Sequence, residues 1–123
     1  MSKKAKIKWL SEPETQDYPA SLSYLSLLYD EKSAATHVKR LKRAALSKFK
    51  AKDIFRASGL PLLATSNTHV HKDLQKIQSG GMLSPLLLIG DPARGRVIIA
   101  DGYHRLCAVY SCDEDAVIPC KIA

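Results

Sequence analysis

Hydrophobic and polar positions follow two rhythms along the chain, one helical and one strand-like. Between residues 17 and 47 apolar residues recur every three or four positions. Asp17 and Pro19 suit a helix start. Leu22, Leu25 and Leu28 or Tyr29 share one face, which predicts a helix over 17–29. A second helix is predicted over Ser33–Ser47, with Ala34, Val38, Leu41 and Ala45 as its apolar stripe and Phe49 continuing it. Its other face carries Lys39, Arg40, Lys42, Arg43 and Lys48, which makes it a basic amphipathic helix. Asp53–Ser58 reads as a short helix stopped by Gly59 and Pro61, followed by an apolar patch of Leu60, Leu62 and Leu63. Upstream, residues 1–16 read as loosely ordered: Lys3, Lys4, Lys6 and Lys8 come first, then a polar stretch with Pro13. Ile7 and Trp9 alternate with the lysines there, the pattern of a short strand around Ile7–Leu10.

From Ser66 the pattern sharpens. Thr68 is placed to cap a helix over His69–Gln78, with Val70, Leu74 and Ile77 on one face and Ser79-Gly80-Gly81 at its end. Leu86–Ile89 is a short buried strand, Gly90–Gly95 is turn chemistry, and Arg96–Ala100 is the return strand. Asp101-Gly102 then breaks the chain before a helix over Tyr103–Tyr110. After an acidic loop, Asp113-Glu114-Asp115, the last strand runs over Val117–Ile122, where Pro119 predicts an edge position or an irregularity. This order predicts an α/β fold. Residues 66–123 alone would bury little surface. The chain therefore reads as one domain over 1–123, with 1–64 a basic helical extension packed against a core at 66–123.

Composition narrows the class. Hydrophobic residues make up 46% and charged residues 25% of the 123, the balance of a globular chain and not of a disordered or collagen-like one. No apolar run is long enough for a transmembrane helix, and the basic N-terminus lacks the apolar segment of a secretory signal. The expected location is the cytoplasm, with no membrane partner. Cys107, Cys112 and Cys120, spaced five and eight apart, form neither a disulfide framework nor a zinc ribbon and read as free thiols. Residues 1–64 hold 13 Lys/Arg against 6 Asp/Glu and residues 65–123 hold 6 against 6, so the whole net charge of +7 lies in the first half. That asymmetry points to an anionic ligand or a polyanion. A well-solvated basic face is its plain reading.

The segment Ile98 to Ala108 carries the chemistry. A buried strand ends at a glycine turn and a helix starts at once. The first amides of such a helix lack intrahelical partners and sit at the positive end of its dipole, a place that attracts phosphate. Gly102 would let backbone approach a ligand closely, Arg105 and His104 add donors, and Asp101 is a candidate base or magnesium ligand.

The turn Asp101-Gly102-Tyr103-His104-Arg105 resembles the signature turn of the ParB/sulfiredoxin superfamily. Sulfiredoxins carry Gly-Cys-His-Arg there, ParB proteins Gly-Glu-Arg-Arg, and free-serine kinases with a related domain Asp-Gly-His-His-Arg. The last form is the nearest. The neighbouring pieces follow the superfamily order over residues 66–123: the helix His71–Gln78, the strand Ser84–Ile89, the return strand Val97–Ala100, the turn, the helix and the closing strand Ile118–Ile122. The resemblance implies a small mixed α/β domain that binds a nucleoside di- or triphosphate (ATP, ADP or CTP), with magnesium as a further expectation. It implies that Gly102, Tyr103, His104 and Arg105 cradle the phosphates, and that Lys72, near the start of the preceding helix, adds a contact. Asp101 and His104 are the candidate catalytic groups for phosphotransfer or nucleotide hydrolysis. Arg105→Ala is expected to abolish binding and leave the fold intact. The departures remove other chemistry. Tyr103 stands where sulfiredoxin has its cysteine, so thiol-dependent repair has no nucleophile, and Cys107, one helical turn on, points elsewhere. No helix-turn-helix region follows the closing strand, so DNA binding in the ParB manner is not expected.

Two further patterns compete. His69 and His71 with His104 would hold a metal only if residues 69–71 were extended, because positions two apart on a helix diverge. No metal is therefore expected there. The alternative function is a non-catalytic module whose Lys39, Arg40, Lys42 and Arg43 lie on nucleic-acid phosphates without reading sequence. A nuclease reading has no acidic cluster for two metals beyond the solvated loop at 113–115. Oligomeric state stays open.

Overall fold

The run Leu86-Leu87-Leu88-Ile89 is buried along its whole length because helices cover both faces of the sheet that contains it. The computed structural model describes residues 6–123; Lys3 and Lys4 lie outside the described residues. In chain order the elements are β1 (Lys8–Trp9), α1 (Asp17–Leu25), α2 (Glu31–Arg43), β2 (Ser47–Lys50), α3 (Ala51–Ser58), α4 (Thr68–Gln78), β3 (Met82–Leu83), β4 (Leu86–Asp91), β5 (Arg96–Asp101), α5 (Tyr103–Cys112) and β6 (Val117–Ile122). The protein is mixed α/β.

The four-stranded sheet has the order β2-β6-β4-β5. β4 and β5 form an antiparallel hairpin through a single 3-10 turn at Pro92–Arg94, β6 returns parallel to β4, and β2 adds antiparallel to β6. β1 and β3 form a separate parallel pair. Alternation along the strands divides the core. Leu86, Leu88, Ile99, Ile118 and Cys120 face α3, α4 and α5, while Leu87, Ile89, Ile98 and Ala100 face α1 and α2. The N-terminal helices thus supply one of the two layers that cover the sheet.

Several expectations change. α2 does not run through Ser47 but ends at Arg43, with Ala44 extended at ψ 143°. The next residues, Ser47–Lys50, pair with β6, and Phe49 lies opposite Ile118. Pro119 sits at a local edge, as expected, although β6 is an interior strand of the sheet. The proline is tolerated because β4 pairs only with Cys120–Ile122, so at Pro119 the strand has a neighbour on the β2 side alone. Residues 8–9 are tied into a sheet rather than loose, and the Glu14 amide donates to Ser84 Oγ at 3.1 Å.

α1 departs most. Its buried residues are Asp17, Ser21 and Leu25; of the expected face Leu22, Leu25 and Leu28 or Tyr29, Leu25 is buried and Tyr29, beyond the helix end, packs against the core, while Leu22 and Leu28 do not turn inward. Asp17 is not the cap but the first helical residue, held inward by the partners described below, and its burial turns the helix about its axis. Leu22, Tyr24 and Leu28 are left exposed. α4 is capped one residue earlier than expected, by Asn67, whose side chain accepts from the His69 and Val70 amides at 3.0 and 3.2 Å.

Candidate functional site

α5 begins where β5 ends. Gly102 is its N-cap at φ +109°, a conformation that suits glycine, and no side chain caps the helix. The opening amides of α5 therefore lack the cap that Asn67 gives α4. The absent side chain of Gly102 matters on the inside. A Cβ there would meet Leu86 Cγ at 2.8 Å and Arg105 Nη2 at 3.0 Å. The glycine is thus demanded by packing under the turn as well as by its dihedral angle, independently of any ligand.

Arg105 turns back under the loop. Its Nη2 lies 2.9 Å from Asp101 Oδ2 and 3.8 Å from Asp17 Oδ2, and donates to the Pro85 carbonyl at 3.4 Å. Asp17 Oδ2 also accepts from Ser84 Oγ. All three charged side chains are largely buried, with Arg105 17% exposed. One nitrogen makes the three contacts. Nε is buried and has no hydrogen-bond partner. Burial pushes the Asp101 carboxyl above the usual carboxylate range, opposed by Arg105 and reinforced by Asp17. This bracing corrects one expectation: Arg105→Ala would remove the only cation between two buried carboxylates, so the variant is not structurally neutral.

Above this network lies a polar cleft of about 200 Å³. It is lined by His69, Lys72 and Asp73 from α4 and by Asp101, Gly102, Tyr103, His104 and Arg105 from the turn. Every residue singled out for the nucleotide site meets here. The His69 and His104 rings lie 4.8 Å apart by centroid. Burial and then the neighbouring His69 hold His104 below the ordinary imidazole value, against the pull of Asp73, so it is neutral at pH 7. Burial raises the Asp73 carboxyl, with Arg105, Lys76, His104 and His69 opposing. Asp73 and Asp101 balance Lys72 and Arg105 in the cleft lining, which carries no excess of positive charge. Tyr103 donates its hydroxyl to the Pro61 carbonyl, which ties the loop after α3 to the turn.

Other candidates lie elsewhere. His71 is exposed and not part of the cleft lining. Among the described residues no group of three His, Cys, Asp or Glu is placed to hold a metal ion. Lys39, Arg40, Lys42 and Arg43 are exposed on α2, across the sheet from α4 and α5. Cys107 and Cys120 are buried and Cys112 is half-buried, all as free thiols. Burial pushes the Cys107 thiol up and Cys120 to about 11, so neither is a ready nucleophile at neutral pH. No described helix is long and apolar enough to cross a membrane.

Sequence reasoning missed Asp17, Ser84 and Asp73. Asp17 carried a helix-start signal and Asp73 a solvated-face signal. Only the fold brings Ser84 to Asp17 across 67 positions. No protein-family model, curated protein or solved structure matches the chain.

Proposed function

We propose that this protein has a ParB/sulfiredoxin-like fold and binds a nucleoside di- or triphosphate with its phosphates at the α5 N-terminus. The observation that carries the reading is the convergence of Lys72, His104, Arg105 and the uncapped start of α5 on one polar cleft. The element order from α4 through the β4–β5 hairpin, the glycine turn, α5 and β6 supports the fold assignment, being the order the resemblance implies. Lys72 and Arg105 would grip phosphate oxygens, and the neutral His104 imidazole is the group able to accept a proton from an attacking hydroxyl or water. Asp101 is less suited to that role because its Oδ2 is engaged by Arg105. With its two cations matched by two carboxylates, the cleft suits a nucleotide that arrives with magnesium. Asp101 and Asp73 are its possible carboxylate ligands, and the ion would neutralise phosphate charge during phosphotransfer or hydrolysis.

A thermal-shift panel of ATP, ADP, CTP and GTP, each with and without magnesium, tests the reading. A ligand at 100 times its dissociation constant stabilises by about 2.7 kcal/mol, a shift of several degrees for a domain this size. The shift should shrink in Lys72→Ala, an exposed position whose loss leaves the fold alone. A flat panel overturns the proposal and moves attention to α2. That helix turns four cations away from the sheet, and the expected readout there is salt-sensitive binding of DNA or RNA.

A further inference from the structure

The rotation of α1 leaves a second cleft beside the first. It has a volume of about 430 Å³, and its walls are Ala20 and Tyr24 of α1, Leu60 of the loop after α3, and Ile99 and Ala100 of β5. Asp101, Gly102, Tyr103 and His104 line both clefts, so the two adjoin at the turn. The two halves differ in kind. The first is polar and charged. The second is walled by an aromatic ring, aliphatic side chains and the edge strand of the sheet. Tyr24 is 42% and Leu60 38% exposed, apolar surface left open on this side of the fold.

We propose that this apolar cleft holds the base and sugar of the nucleotide whose phosphates occupy the polar one, with Tyr24 and Leu60 as the walls of the base slot. The inference rests on the phosphate site argued above. It adds a ligand-binding role for the N-terminal helix, which lies outside the half of the chain that carries the family resemblance. The occupant follows from three features. The two clefts share the Asp101–His104 turn, so one ligand of nucleotide length can reach from one to the other. A ligand charged at one end and planar and apolar at the other matches the split in lining. The volume is that of a small organic group, within the range of ordinary ligand pockets and too small for a protein partner. Tyr103, held by its bond to the Pro61 carbonyl, fixes the floor between the two halves and sets the spacing of base and phosphates.

The test separates base from phosphate. Calorimetric titrations compare ATP, GTP and CTP with inorganic tripolyphosphate, all with magnesium, against the wild-type protein, Tyr24→Ala and Leu60→Ala. Both substituted side chains are exposed, so both variants fold. At least one nucleotide should bind about tenfold more tightly than tripolyphosphate to the wild type, the size of one good base–aromatic stack. That preference should fall toward unity in Tyr24→Ala and shrink in Leu60→Ala, with tripolyphosphate affinity unchanged. Tripolyphosphate binding with no nucleotide preference, or a preference that survives both substitutions, overturns this inference and leaves the phosphate site standing. Absence of binding by every ligand overturns both. A dissociation constant that rises with protein concentration, alongside a change of oligomeric state in Tyr24→Ala, shows the cleft covered by a second copy of the chain and also overturns it.

Discussion

Two helices present their N-termini to one cleft, and they are finished differently. α4 satisfies its own first amides: Asn67 reaches over and accepts two of them. α5 starts from a glycine in the left-handed region and leaves its first turn without a side-chain cap. Capping by Asn, Asp, Ser or Thr contributes about 1 kcal/mol to a helix, so leaving α5 open forgoes a stabilisation that α4 keeps. The difference also extends below the surface. α4 rests on an apolar stripe of Val70 and Ile77. The turn that starts α5 rests on an ionic knot of Arg105, Asp101 and Asp17 with Ser84. One terminus is built for stability; the other is an opening held in shape by buried charge.

The largest effect on this contrast comes from cutting the knot. In Arg105→Ala, Asp101 and Asp17 face each other without a cation, and the loss of one member of a buried ionic cluster costs about 3–5 kcal/mol. The sign of the pH dependence follows. With Arg105 gone, the Asp101 carboxyl favours its protonated form in the folded state even more than in the intact protein, because the cation that opposes the effect of burial is lost. Stability held by protonation is present below the unfolded carboxylate value and lost as pH rises through the folded one. Urea unfolding should therefore show a deficit that is large at pH 8 and smaller at pH 4.5. A variant as stable as wild type at pH 8 would show that the knot does not hold the turn.

The second effect sharpens the role of the glycine. Gly102→Ala meets both a φ of +109° and a contact of 2.8 Å with Leu86, and should cost about 2–4 kcal/mol. Gly95 has a comparable φ of +63° but open space around a Cβ, so Gly95→Ala should cost about 1 kcal/mol. Equal losses in denaturant titrations would mean that dihedral strain alone decides, and that Leu86 yields.

Legibility in the sequence follows the same division. From residue 66 onward, apolar period, caps and glycines agree with one another, and the predicted elements α4, β4, β5, α5 and β6 fall within a few residues of the observed ones. The cleft residues 101–105 were legible because they cluster at one strand-to-helix turn, whereas on α4 Lys72 came only from the family resemblance and Asp73 was missed. β2 was not, because Ser-Lys-Phe-Lys is exposed throughout and has no inward face of its own; only pairing with β6 makes it a strand. The face of α1 was not legible either. Its leucine spacing predicts one inner stripe, and a buried contact between Asp17 and residues of the distant turn selects another. Long-range polar contacts leave no local period in a sequence, so both the knot and the cleft it uncovers on the Tyr24 side emerge only in the fold.

The smallest effect is the most specific to the open terminus. His104 is held below the ordinary imidazole value by burial and by His69, with Asp73 opposing. In the free protein its contribution to stability is present above the unfolded value of about 6.5 and is lost as pH falls through the lower folded value. A phosphate in the cleft reverses the balance, because an anion beside the ring favours the imidazolium. Binding then takes up a proton, and affinity should rise a few-fold as pH drops from 8 to 5.5, the direction opposite to the stability of the free protein over the same window. His104→Gln keeps a polar side chain but cannot titrate. It should bind with the same affinity at both ends of that window, apart from the titration of the phosphate itself, which is shared with wild type and cancels in the comparison. If wild type and variant give parallel profiles, the ring does not face the phosphates, and the open start of α5 acts on its ligand through Lys72, Arg105 and backbone amides alone.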